Sequence, residues 1–247
     1  MKYLHLIWAA LFRRKTRTIF TLLSVLAAFL LFGMLDSVRT AFNAGSNAAG
    51  VSRLVVSSKV SLIVALPQSL LPRIQAVPGV KSVSYANWFG GYYQDPQNQA
   101  LMFQIAIDPG YFDTYSDNIV ISPEARKAFA ETRTGAIVGA QAAKALGIKV
   151  GDKIPITGAI FTRKDNNSTT WTFDVVGLFH ASEAKLRGLE NQMFFRWDYF
   201  DEGRQFGTGT IGWYIVRVND PAESDKIAAA IDALSANSDH ETKTETE

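Results

Sequence analysis

A chain of 247 residues and 27.2 kDa is long enough for one large domain or two small ones with a real core. Hydrophobic residues make up 47% and charged residues 19%, which excludes general disorder, and the absence of cysteine excludes disulfide scaffolds, thiol nucleophiles and cysteine-ligated zinc. The net charge of +2 hides an asymmetry: Lys2, Arg13, Arg14, Lys15 and Arg17 have no acidic counterpart, and the 20 basic residues after them face 23 acidic ones, so nucleic acid is excluded as a partner of that remainder by charge.

Mean hydropathy of +0.03 is too low for a polytopic membrane protein, but the apolar residues are unevenly spread. Thr18 to Leu35 carries no charge. As a helix it is roughly 27 Å long, close to the hydrocarbon thickness of a bilayer. Its Leu, Ile, Phe and Val residues favour insertion by on the order of 3–6 kcal/mol. The two Thr and one Ser cost little, because a helix bonds their hydroxyls to its own carbonyls. The basic residues before the span and Asp36 after it predict a cytoplasmic N-terminus, with residues 36 onward outside. A cleaved signal peptide is the alternative. The apolar run exceeds the 7–15 residues usual for one, so the reading here is a retained anchor.

Before the span, Leu4, Ile7, Trp8, Leu11 and Phe12 recur on one helical face, with the basic cluster at its C-terminal end. This predicts an amphipathic helix over 1–17 lying on the cytoplasmic leaflet, with Trp8, Phe12, Arg13, Arg14, Lys15 and Arg17 at the membrane interface. The alternative is one helix continuing into the span. Residues 18–42 are expected to form the transmembrane helix and a stalk, with Gly33 its weak point. Residues 41–50 are small and polar and read as a helix end running into a linker.

From 43 the chain reads as one extracytoplasmic domain. A short β-branched strand is expected over 53–57, and a helix over 67–76 with Ser69 as a possible cap and Pro72 in its first turn. Strands follow over 80–89 and 100–107, separated by Gly90-Gly91. Ser122-Pro123-Glu124 is a helix start leading 125–130. A strand over 135–139 precedes a helix over 140–146, stopped by Gly147. Strands over 154–157 and 171–179 flank a hairpin tip at 163–169, where Asn166-Asn167-Ser168-Thr169 matches a glycosylation sequon. A strand over 211–218 leads through Asp220-Pro221-Ala222-Glu223 to a helix with Ile227, Ile231 and Leu234 in one stripe. The polar end, 239–247, reads as a last strand. Strand–helix–strand order recurs at 53–89 and 211–245, which predicts one split βαβ sheet.

Nothing in the sequence carries catalysis. There is no Gly-x-x-x-x-Gly-Lys-[Ser/Thr] loop, no Gly-x-Ser-x-Gly elbow and no His-Glu-x-x-His. His180, with Glu183 nearby, reads as a surface residue at a strand end. No catalytic, cofactor-binding or metal-ligating residue is assigned. Aromatic residues cluster at 88–93, 194–200 and 213–214, chiefly as core and hairpin packing. Neighbours on a strand point to opposite faces, so one of Trp88 and Phe89 must leave a single-sided core. Trp88, Phe89, Tyr92 and Tyr93 are therefore the candidate contact patch.

Three segments resemble the front of the MacB/FtsX-type ABC transporter permeases. Lys15-Thr-Arg-Thr-Ile-Phe-Thr-Leu-Leu-Ser24 resembles the family's first membrane segment. Pro78-Gly-Val-Lys-Ser-Val-Ser84 with Ile107-Asp-Pro-Gly-Tyr-Phe112 resembles its porter-like part. Ala136 to Ile154, followed by Phe173-Asp-Val-Val-Gly-Leu178, resembles its small second subdomain and is the most specific match. The resemblance implies an α+β fold: one N-terminal transmembrane helix, then a porter-like split βαβ subdomain at 51–110 and 190–247 with a small α/β subdomain inserted at 111–189. It further implies a permease subunit, not an enzyme, in a bacterial inner membrane. Such a subunit holds no cofactor, since ATP is bound by a separate cytoplasmic ATPase. Expected partners are that ATPase, the membrane, a second permease in a homodimer or heterodimer, and a periplasmic protein. Movement of the outer domain would export an amphiphilic substrate or transmit a mechanical signal. The family continues into three more spans, so the chain reads as a fragment or as one part of a divided subunit. The competing readings are a single-pass sensor or interaction module whose outer domain binds a ligand, and an anchored hydrolase.

Overall fold

The computed structural model describes residues 15–47, 53–61 and 63–247. Expectations for residues 1–14, including Trp8, Phe12, Arg13 and Arg14, lie outside the described residues. Two compact units are present, Met1–Val51 and Ser52–Glu247.

The first unit is helix α1, Lys15–Asn47, 33 residues without a break. Thr21 and Ser24 return their hydroxyls to the carbonyls of Arg17 and Phe20, each at 2.9 Å, and Ser37 to that of Gly33 at 2.8 Å. These are the internal bonds that make a polar side chain tolerable in lipid. Its segment Lys15–Ser37 is long and apolar enough to cross a membrane, and none of it is buried against protein. Phe29, Phe32 and Leu35 are each about 70% exposed. Two expected boundaries move. Lys15 and Arg17 belong to the same helix as the span, with no break at 17. The helix also persists to Asn47, through most of the stretch expected to be a helix end running into a linker: no proline stands in it, and Gly45 costs a helix only about 1 kcal/mol.

The second unit is built on one mixed sheet. Its strands are β1 (Arg53–Ser58), β3 (Val80–Trp88), β4 (Gly91–Tyr93), β5 (Phe103–Ile107), β6 (Ile119–Ile121), β7 (Gly135–Gly139), β8 (Lys153–Gly158), β9 (Thr170–Ala181), β10 (Gln192–Arg196), β12 (Trp213–Val218) and β13 (Thr242–Thr246). They run in the order β13-β1-β12-β3-β5-β10-β7-β9-β8-β4, with β6 on the far end of β9. Strands β2 (Leu66–Pro67) and β11 (Thr210–Ile211) form a separate two-stranded sheet. The run β13-β1-β12-β3 is antiparallel throughout and interleaves two strand–helix–strand halves. It is the split βαβ arrangement expected from 53–89 and 211–245. The sheet does not stop at the expected subdomain boundaries. β10 of the porter-like part pairs with β7 of the insert, and β4 pairs with β8. Main-chain bonds thus cross both 110/111 and 189/190.

Both faces of the central strands are buried, so their residues sort alternately into two cores. Tyr85, Ala106, Ala136, Val138, Met193, Phe195, Tyr214 and Val216 face one. Ala86, Ile105, Ile107, Ile137, Phe194 and Ile215 face the other. Helices α2 (Leu71–Gln75), α5 (Ala140–Leu146) and α7 (Ser224–Leu234) supply Ile74, Ala142, Ala143, Ile227 and Ile231 to the first. Helices α3 (Tyr111–Thr114) and α4 (Pro123–Glu131) supply Tyr111, Phe112 and Phe129 to the second. Ser122 caps α4, its hydroxyl accepting the Ala125 N–H at 3.1 Å. Gly147 closes α5 with φ +69°, the left-handed conformation a side chain would strain.

Two local expectations fail. Ser69 caps nothing: 68–70 is a 3-10 turn, α2 starts after Leu70, and Leu66–Pro67 is strand. Pro72 explains this, because it is accommodated only in the first turn and so sets the helix start late. The strand expected from 100 begins at Phe103, since Pro96–Leu101 is a 3-10 turn capped by Asp95, whose carboxylate accepts the Gln97 N–H at 2.8 Å.

Candidate functional site

The aromatic residues of 88–93 part company. Phe89 is fully buried, with its ring 5.5–6.4 Å from those of Phe161, Trp171, Phe173, Phe195 and Phe200. Phe89 therefore leaves the candidate contact patch: four edge-to-face contacts and one stacked contact, with Phe161, hold its ring inside the domain. Trp88 points the other way and is 44% exposed. Tyr92 and Tyr93 are half-buried on β4, with Tyr93 packed against the first core. They lie apart from the residues that gather around Trp88.

Those residues come from distant parts of the chain. Around Trp88 a groove of about 320 Å³ is lined by Ile63, Asn87, Ile160, Phe161, Phe206 and Trp213, with Arg204 and Thr210 among its polar members. The 204–212 loop forms one wall. Its main chain is held at both ends: the Gln68 N–H donates to the Gly209 carbonyl at 2.9 Å, and the Gly212 N–H to the Ala86 carbonyl at 2.9 Å. β11 pairs with β2 between these points. Helix α6 (Trp197–Gly203) delivers the buried Asp201, whose carboxylate takes the Gly209 N–H at 2.9 Å and the Arg204 guanidinium. Arg204 also donates to the Thr210 carbonyl at 2.7 Å, and its guanidinium lies 4.6 Å over the Phe200 ring. Burial pushes Arg204 below the ordinary arginine value, and the Asp201 carboxylate works against that shift. The ion pair thus staples the wall and carries no net charge.

The 158–163 turn continues this wall, with the Gln205 N–H donating to the Thr162 carbonyl at 3.0 Å. Ile160 and Trp88 close together over Gly90, at 3.0 and 3.3 Å from where a side chain there would begin. Phe161 stacks on Phe206 at 5.3 Å and meets Phe200 edge-on at 4.8 Å. Phe206 stays 52% exposed and Ile160 43%. Sequence reading found Trp88 through strand alternation. It missed Ile63, Ile160 and Phe206, because a single apolar residue in a polar loop carries no periodicity. His180 lies elsewhere and is exposed, 3.9 Å from Glu190. Among the described residues no three His, Asp or Glu side chains converge as a metal site would require.

A second polar constellation marks where the sheet begins. Arg53 opens β1 almost fully buried. It donates to Glu247 at 2.5 Å, to Asp117 at 2.9 Å and to Asn118 at 3.0 Å, and it covers the Tyr115 ring at 4.7 Å. Desolvation opposes its charge, but Glu247 and Asp117 outweigh it and raise its pKa. Arg217 reaches the same Asp117 at 3.2 Å. Because Leu54 pairs with Thr246, the start of β1 and the end of β13 lie side by side, clamped by this network.

No curated protein matches the sequence significantly. Solved structures share the fold. The periplasmic region of MacB from Actinobacillus actinomycetemcomitans aligns with TM-score 0.54 at 11% identity, over 80% of this chain and 89% of that one. The extracellular domain of the noncanonic ABC-type transporter YknZ from Gram-positive bacteria aligns with TM-score 0.52 at 11% identity, over 78% of this chain and 99% of that one. The model of the MacB-like periplasmic core domain matches residues 20–234, from inside the apolar helix to the end of α7. By that match the chain belongs to the MacB-like periplasmic core domain family, and so to the MacB/FtsX type of ABC transporter permease.

Proposed function

We propose that this chain is a permease subunit whose extracytoplasmic domain is moved by ATP hydrolysis in a separate cytoplasmic ATPase, to export an amphiphilic substrate or to transmit a mechanical signal. The observation that carries the proposal is α1: one helix runs from the basic cluster through the apolar span to Asn47, and β1 begins six residues later. An unbroken helix passes on axial and rotational displacement, whereas a coil absorbs it. The basic residues before the span favour a cytoplasmic N-terminus, and in this reading the membrane is a bacterial inner membrane. ATP is held by the partner subunit in this reading. A paired permease and a periplasmic protein complete the assembly.

The test is affinity purification of the full-length gene product from native membranes in mild detergent. An ATPase subunit recovered in stoichiometric amount is the expected outcome. Gly33→Pro, which breaks the helix inside the span, should leave that subunit bound while abolishing coupled activity. A permease chain that purifies without any ATPase, under conditions that keep other membrane complexes whole, overturns the reading.

A further inference from the structure

The groove beside Trp88 holds an acceptor that the fold does not use. Asn87 is only 6% exposed, and its Nδ2 donates to the Trp88 carbonyl at 2.8 Å. Among the described residues none donates to its Oδ1. That oxygen lies 3.6 Å from where a side chain at Gly212 would begin, and both residues line the groove. The fully buried polar atoms without a partner among the described residues are Ser84 Oγ and Trp197 Nε1; Asn87 Oδ1 is not one of them, so it is reachable from the groove and open to a donor. The indole N–H groups of Trp88 and Trp213 are likewise without a partner among the described residues. The only ionisable lining residue described, Arg204, is already neutralised by Asp201 and engaged with the Thr210 carbonyl. A charged ligand would find no free counter-charge here and would lose its hydration.

Size narrows the ligand further. A volume of about 320 Å³ falls at the lower end of the range for small-molecule sites, roughly 300–1,000 Å³. The walls are flat rings with two aliphatic branches, Ile63 and Ile160. We propose that the groove binds a neutral, flat, largely apolar small molecule carrying one N–H or O–H donor, held between Trp88, Phe161, Phe206 and Trp213 and hydrogen-bonded to Asn87 Oδ1. The proposal rests on the groove and not on the transport reading, so either can fail without the other.

The chain has no cysteine, so a single introduced thiol reports one place only. Ile160→Cys puts it on the groove wall, and Val150→Cys, at a residue 57% exposed and outside the groove lining, is the reference. The probe is N-phenyl-1-naphthylamine, which is neutral, flat and has one N–H. Its sulfonated relative, 8-anilinonaphthalene-1-sulfonate, differs by the charge. With the full chain in detergent micelles, the neutral probe should slow maleimide alkylation of Ile160→Cys at least fivefold and leave Val150→Cys unchanged. The sulfonate should need about tenfold more to protect, and Asn87→Ala should weaken protection by the neutral probe about tenfold, as one lost hydrogen bond would. Should Asn87→Ala not fold, Trp88→Ala removes an exposed wall instead and must reduce protection. Equal slowing at both thiols, protection by the sulfonate as good as by the neutral probe, or protection unaffected by Trp88→Ala overturns the proposal. Protection by apolar peptides alone also overturns it and assigns the groove to a protein segment.

Discussion

The Asp198 carboxyl sits between opposing effects. Burial alone would raise its pKa, but Arg196 forks around it, with Nε 2.9 Å from Oδ1 and a second nitrogen on Oδ2, and the Tyr199 N–H adds another donor at 2.9 Å. The result lies below the ordinary aspartate value. A depressed folded pKa gives stability that is complete above the unfolded value and is lost as pH falls through the folded one. Carboxyl-carbon NMR of labelled aspartate should therefore show Asp198 titrating on the acid side of ordinary aspartates. In Arg196→Met the midpoint should move upward, because burial then acts with fewer opponents. The carboxylate is 44% exposed, so the stability lost at neutral pH should stay near ~0.5–1 kcal/mol. An unmoved midpoint would mean that the fork is not populated in solution. The end of β3 shows what single residues disclose in advance. Strand alternation requires that Trp88 and Phe89 diverge, yet only the ring cage around Phe89 decides which goes inside.

Elements with chemical punctuation were the readable ones. Ser122-Pro123-Glu124 announces α4, Gly147 ends α5, and the alternating Trp171, Phe173 and Val175 mark β9, all as found. β10 gave no such cue. Gln192–Arg196 is central, buried on both faces, and its Met193-Phe194-Phe195 run lacks alternation because neither face meets water. β4 has three residues, too few for any pattern. Spacing also cannot disclose close approach between elements. An ideal Cβ on Gly177 of β9 would lie 2.4 Å from Ala125 Cβ of α4, so the helix rests directly on a strand with no side chain. Gly177→Ala should destabilise the domain by about 1–3 kcal/mol by overpacking. Ala125→Gly should recover part of that loss, less the ~1 kcal/mol that glycine costs inside a helix. Thermal melts of the two single variants and the double variant check this. Additive losses, with no recovery in the double variant, would show that α4 does not pack at this point.

Across the full chain, the span and the α+β order were open to reading because lipid and sheet impose composition and period. The groove was not, because its walls come from 63, 87–88, 160–161 and 204–213, joined only by the fold. Nor was the Arg53 clamp, which brings residue 53 to Asp117 and Glu247 through the register of β1 with β13. What the chain does depends on which side of a membrane these features occupy, and charge bears on that directly. Five basic residues before the span, and none of either sign within 18–35, favour retention of the N-terminus in the cytoplasm. In the cysteine-free chain, Val150→Cys in the exposed turn after α5 should react with a membrane-impermeant maleimide in intact spheroplasts. Lys2→Cys should react only after lysis. The reverse pattern would put the groove and the Arg53 clamp in the cytoplasm and remove the basis for an outer domain driven from within. Reaction of both thiols before lysis would mean that α1 does not cross at all, and its exposed Phe29, Phe32 and Leu35 would then need a protein partner.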